Sequence, residues 1–107
     1  MSRHPAHADV FTAIADPTRR RLLDLLGGGQ RSVNALAEQF DISLSAVSQH
    51  LRLLRQAGLV TVERAGRERR YHLNPRPLRK VADWIGHYRR FWQAKLDALG
   101  EHLEKNP

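Results

Sequence analysis

The chain has no cysteine, so disulfides, thiolate zinc sites and cysteine nucleophiles are all excluded. No apolar run approaches the length of a membrane span, and the opening MSRHPAHADV lacks the apolar core of a secretory signal. A cytoplasmic protein without a membrane partner is the expectation. Nothing repeats at a solenoid period and nothing is low in complexity. No glycine loop of the phosphate-cradling kind is present, since Gly27-Gly28-Gly29 reads as a helix stop. The few carboxylates fall on the surfaces of predicted helices. Neither catalysis nor a cofactor is expected.

What the chain does have is positive charge, and it is unevenly placed. The 107 residues hold 18 Lys and Arg against 11 Asp and Glu, a formal charge of +7, with a pI near 11.0. Between Leu44 and Lys80 lie Arg52, Arg55, Arg64, Arg67, Arg69, Arg70, Arg76, Arg79 and Lys80, opposed only by Glu63 and Glu68. The excess therefore belongs entirely to this segment, and the rest of the chain balances. A polyanion is the partner such a distribution fits. With 41% hydrophobic residues, the chain supports one folded domain over 1–107. A domain this small buries a modest share of its surface, so a second copy would help it.

The stretch DISLSAVSQHLRLLRQAGLV, Asp41 to Val60, organises the rest. Ser43 is a helix-capping residue and Gly58 suits a left-handed stop. Leu44, Val47, Leu51 and Leu54 recur at three and four residues, one apolar stripe for a core. The other face carries Ser45, Ser48, Gln49, Arg52 and Arg55, with His50 at its edge. Short hydrogen-bonding side chains near the start and arginines further on suit a helix that meets base edges with its first turns and phosphates with its flank. His50 is open between two roles: touching DNA, or packing beneath the helix.

Around it, the pattern predicts a short helix over about 8–15, with Val10, Phe11 and Ile14 on one side. Asp16-Pro17 caps a helix over 18–26, whose Leu22, Leu23, Leu25 and Leu26 feed the core. Its Arg19, Arg20 and Arg21 are read as a solvated run, with one arginine pairing to Asp24 or a backbone carbonyl. Ser32 caps a helix over 33–40, and Asp41-Ile42-Ser43 links it to the next, so 32–56 reads as a helix-turn-helix. After Gly58 the pattern alternates, predicting a hairpin over 59–73 that turns through Ala65-Gly66-Arg67-Glu68. Its Arg64, Arg67, Arg69 and Arg70 make it a basic wing, and His72 is read as structural. Asn74-Pro75 then opens one long helix over 76–104. Leu78, Val81, Ile85, Tyr88, Trp92, Leu96, Leu99 and Leu103 form a face too wide for a small domain to cover. With Val10, Phe11 and Ile14, that face is the expected two-fold interface between two copies. The fold expected is mainly α with a β-hairpin wing, an α+β winged helix-turn-helix in the order α-α-α-α-β-β-α.

Three stretches, ADPTRRRLLDLL, LAEQFDISLSAVSQHLRLLRQAGLV and GRERRYHL, resemble the ArsR/SmtB-type winged-helix repressors of bacteria in order and spacing. The resemblance implies a homodimeric repressor on an inverted-repeat operator, released by an effector. It implies contacts from Ser45, Ser48, Gln49, His50 and Arg52 in the major groove, with Arg67 and Arg69 near phosphate or the minor groove. The cysteine ligands of that family's arsenic and cadmium sensors are missing. Asp83 with His87, and Glu101 with His102, also depart from the spacing of its histidine-carboxylate sites. No regulatory metal is expected. A protein-interaction module on the same scaffold is the alternative, against which the concentration of charge argues.

Overall fold

The computed structural model describes residues 9–105; Ala8, the expected start of the first helix, lies outside them. Helix α1 spans Val10–Ile14, α2 Pro17–Gly27, α3 Val33–Ala37 and α4 Leu44–Gln56. Each starts at a polar side chain that accepts an amide hydrogen bond three residues on: Asp9 from Thr12, Asp16 from Arg19, Ser32 from Ala35 and Ser43 from Ala46. Strands β2, Val60–Ala65, and β3, Glu68–Leu73, form the expected hairpin. A two-residue strand β1, Arg31–Ser32, pairs on the far side of β3, giving the antiparallel order β1-β3-β2. Two residues cannot show alternation, which is why the sequence pattern gives no sign of β1.

Turn chemistry fixes how α4 hands over to the wing. Gly58 has φ +79°. The Leu59 amide reaches back to the Leu54 carbonyl at 2.9 Å and the Gly58 amide to Arg55 at 3.0 Å, the paired bonds of a Schellman stop. Leu54 and Leu59, the two positions whose side chains accompany that motif, are both fully buried in the core. At the hairpin tip Gly66 takes φ +66° in the first loop position and Arg67 stays at negative φ, as a type II′ turn requires. Asn74 Nδ2 donates to the Gly58 carbonyl at 2.7 Å, while its backbone amide donates to Leu59 at 2.8 Å. The wing's exit is thereby tied to the end of α4.

The core gathers Val10, Ala13, Leu22, Leu23, Leu26, Leu36, Val47, Leu51, Leu54, Leu59, Val60 and Tyr71, with no buried polar residue among the described residues. Two assignments change. Leu44, expected in the core stripe of α4, is the first residue of the helix and is 48% exposed, so the buried stripe begins at Val47. Val10, expected at an intermolecular face, is 4% exposed and belongs to this chain's own core; Ile14 and Val81 are also packed against that core.

The single long C-terminal helix is two helices, α5 over Leu78–Gly86 and α6 over Arg89–Lys105. The helix expected from 76 starts at Leu78, with Asn74 donating to Gly58 through Nδ2 and accepting only a long 3.4 Å bond from the Arg76 amide. Leu78, Arg79 and Lys80 instead bond carbonyls three residues back. Gly86 is a weak helix former, and directly after it His87 and Tyr88 again bond three residues back, to Trp84 and Ile85, which breaks the four-residue ladder. Neither helix has a buried residue. Trp84, Ile85, Tyr88, Phe91, Trp92, Leu96, Leu99 and Leu103 are each half exposed or more, and Trp84, Ile85, Tyr88 and Trp92 line a shallow apolar groove. The radius of gyration is 18.7 Å, against about 13 Å for a compact chain of this length. The excess is the reach of these helices away from the body. No helix among the described residues is long and apolar enough to cross a membrane.

Candidate nucleic-acid interface

Helices α3 and α4 pack together with α4's stripe of Val47, Leu51 and Leu54 turned into the core. The opposite face is consequently outward. Ser43, Ser45, Ser48, Gln49, Arg52 and Arg55 are all exposed, and α4 contains no acidic residue. Short polar side chains occupy the first two turns. Arg55 occupies the last, where a cation also complements the helix dipole.

His50 differs from its neighbours. Its side chain is 23% exposed, and Nδ1 lies 3.2 Å from the Arg19 guanidinium and 3.9 Å from Asp16 Oδ2. A guanidinium only donates, so Nδ1 is the acceptor and Asp16 is a counter-charge to Arg19, not a hydrogen-bond partner of the ring. The Asp16 carboxyl is held below its ordinary range. Partial burial pushes it up, and the Arg19 amide hydrogen bond and the Arg19 charge outweigh that.

The α2 arginines are not free for a ligand either. Arg19 Nε donates to the Ala13 carbonyl at 2.7 Å and Arg20 to the Ile14 carbonyl at 2.7 Å, closing the end of α1. Arg21 sits 5.1 Å over the Phe40 ring. The expected carbonyl pairing is found, and it occupies two arginines where one was anticipated.

Strand register sorts the wing arginines by face. Val60 opposes Leu73, Val62 opposes Tyr71 and Arg64 opposes Arg69, so the two arginines continue the core-facing side of the hairpin past the edge of the core. Both are exposed and stand directly opposite each other without an acid between them, a pairing that costs stability unless an anion joins it. On the other side, His72 Nε2 lies 2.7 Å from Glu63 Oε1 and Arg70 donates to Glu68 at 2.9 Å. That face neutralises itself. Arg70, grouped by sequence with the other three, is on it, while Arg67 is exposed at the tip. The sequence shows four arginines in seven residues; only the register separates them.

Among the described residues no three His, Asp or Glu side chains converge on a common point. Asp83 is on α5, His87 in the break, and Glu101 and His102 on α6, all exposed.

Residues 14–63 match the family described as a helix-turn-helix domain. The transcriptional repressor SdpR of Bacillus subtilis is 43% identical over 77 residues, covering 72% of this chain and 86% of that one. The HTH-type transcriptional regulator Rv2034 of Mycobacterium tuberculosis is 34% identical over 104 residues, covering 97% and 94%. A solved possible transcriptional regulator for arsenical resistance superposes with a TM-score of 0.67 at 45% identity, over 89% of this chain and 96% of that one. A solved ArsR-family transcriptional regulator gives a TM-score of 0.69 at 32% identity, over 78% and 86%. Helix order, wing and these likenesses agree: the chain belongs to the ArsR/SmtB family of winged helix-turn-helix, DNA-binding transcriptional regulators.

Proposed function

We propose that this protein is a homodimeric repressor that binds an inverted-repeat operator in double-stranded DNA. The carrying observation is the division of charge. An acid-free α4 face and the unneutralised Arg64/Arg69 pair lie on exposed surfaces, while the arginines of α2 and the outer wing are internally satisfied. Ser45, Ser48, Gln49 and Arg52 enter the major groove, Ser43 and Arg55 meet phosphates beside it, and Arg64, Arg67 and Arg69 grip the adjoining backbone. Arg70 serves the wing itself.

The unburied face of α5 and α6, with Phe11 beside it, is the surface on which two copies join. Phe11 meets Trp84 edge-on at 6.1 Å, and Trp84 meets Tyr88 at 5.6 Å, so the aromatic patch is continuous from α1 to the break. Aromatic side chains bury on the order of 200 Å² each, so covering the exposed halves of eight large side chains in both copies removes on the order of 1,200–1,600 Å², the size of a stable interface. Half-sites then fall about 34 Å apart. Cytoplasmic residence follows from the target.

The test is fluorescence anisotropy on duplex DNA across a salt series, with light scattering on the free protein. About ten phosphate contacts per dimer predict an affinity loss of about 10³ or more between 50 and 200 mM salt. A flat salt response overturns the DNA assignment, and a monomer at micromolar concentration overturns the dimer.

A further inference from the structure

We propose that His50 is a positioning residue: with Arg19 it latches the recognition helix α4 to the end of α1, so that α1 sets how α4 is seated. This rests on the reading of α4 as the helix that meets DNA.

Arg19 is the centre of the arrangement. Its amide donates to Asp16 Oδ2 at 3.0 Å, its Nε to the Ala13 carbonyl at 2.7 Å and one terminal nitrogen to the Thr12 carbonyl at 3.1 Å. The other terminal nitrogen donates to His50 Nδ1 at 3.2 Å. One rigid fork of donors thus holds α1 on one side and α4 on the other, which a flexible ammonium could not do with the same geometry. The acceptor role of Nδ1 leaves the ring proton on Nε2, and Asp16 supplies the negative charge beside the guanidinium.

The position of His50 along α4 gives the contact its leverage. Val47, Leu51 and Leu54 seat the helix by apolar packing, which is non-directional and tolerates a small roll about the helix axis. His50 stands at the border between that stripe and the exposed face, so a directional hydrogen bond there fixes the roll. A change in roll moves Ser45, Ser48, Gln49 and Arg52 together.

Helix α1 is a fit anchor because tertiary contacts, not its own length, fix its place. Five residues have no helical stability of their own. Its place is set by the Asp9 cap, by burial of Val10 and Ala13, by Arg19 and Arg20 on its last carbonyls, and by Phe11 against Trp84 of α5. The last contact belongs to the proposed subunit interface, so a rearrangement there reaches α4 through Arg19 and His50 as well as through the direct packing of α1 on α4.

The experiment uses the full chain and a duplex selected by the wild-type protein from a randomised pool. His50→Ala should weaken binding to that duplex by about tenfold and flatten its base preference at every position of the half-site together. Arg19→Lys should do the same, and the double variant should be no weaker than either single one. His50→Asn, which keeps an acceptor near the place of Nδ1, should bind as the wild type does. Loss of preference at a single base pair, or losses that multiply in the double variant, would overturn the latch in favour of direct base contact. If the wild type selects no sequence at all, the proposed function fails instead. Thermal unfolding of the wild type, His50→Ala, Arg19→Lys and their double variant then tests the latch, and independent effects of the two substitutions overturn it.

Discussion

The segment from Val10 to Leu73 and the segment from Leu78 to Lys105 are built from similar proportions of apolar side chain and end in opposite conditions. The first contains every buried residue of the described chain; α5 and α6 contain none. In the first, capped helices and a stapled hairpin close around leucines. In the second, eight large apolar side chains stay half in water and α6 leans chiefly on α5. Only the first part is complete as one chain. The same residue type should consequently do different work in the two parts.

The largest effect expected from that contrast is at Leu51, which is fully buried in α4. Leu51→Ala should cost about 2–5 kcal/mol whatever the protein concentration. Leu96→Ala on α6 should shift the melting temperature by an amount that depends on concentration, because what it loses is association. Melts at two concentrations a hundredfold apart separate the two, and equal behaviour would erase the distinction. Next, Gln49→Ala on the exposed face should leave the melt unchanged and reduce the preference for operator over random duplex by about 1–3 kcal/mol. A loss of equal factor on both duplexes would show that Gln49 does not read a base.

Gly58→Ala follows, since φ +79° costs a residue with a Cβ about 1–2 kcal/mol; the added Cβ meets Pro77 at only ordinary contact distance, 3.5 Å. Urea unfolding measures this as a lower midpoint with an unchanged slope. Within the wing, Arg64→Ala and Arg69→Ala should each lower the salt dependence of DNA binding by about two in log-log slope, about one per subunit of the proposed dimer. Arg70→Ala, on the self-neutralised face, should barely alter it. The smallest effect is in acid. Asp9 is held below the ordinary carboxylate range chiefly by the Thr12 amide. At Asp16, burial works the other way but is outweighed by the Arg19 amide and charge. A depressed carboxyl stabilises fully above about pH 4 and loses that contribution as pH falls through its folded value. Asp16→Asn should therefore show less destabilisation than wild type between pH 5 and pH 3, read as urea midpoints.

Much of the fold was legible because local chemistry and long-range packing agree. Asp16-Pro17, Ser32 and Ser43 cap where capping residues should, and Gly58 and Gly66 take the positive φ their turns need. The failures share a cause: each depends on a partner far away in sequence. Asn74 looks like a helix cap until Gly58, 16 residues earlier, claims its side chain. The sequence leaves His50 open between two roles, and the Arg19 contact, 31 residues away in sequence, is what the helix pattern alone could not show. Val10 reads as one side of a short amphipathic helix, and only the folded core shows which side is covered. The break at His87 was hidden because the apolar spacing runs through it unchanged, while Gly86, the local hint, is outvoted by the surrounding aromatics. Similarly, the candidate site was legible as a basic segment, but its division into free and satisfied arginines required the strand register.

The clasp that Asn74 makes on Gly58 has a mechanical reading. It closes the ring of chain from 58 to 74 at its neck, so the hairpin's base moves with the end of α4 and only its tip swings. Under the proposed function, the α4 face and the Arg64/Arg69 pair are jaws set in advance, so that a duplex of the right width would be gripped with little ordering left to do.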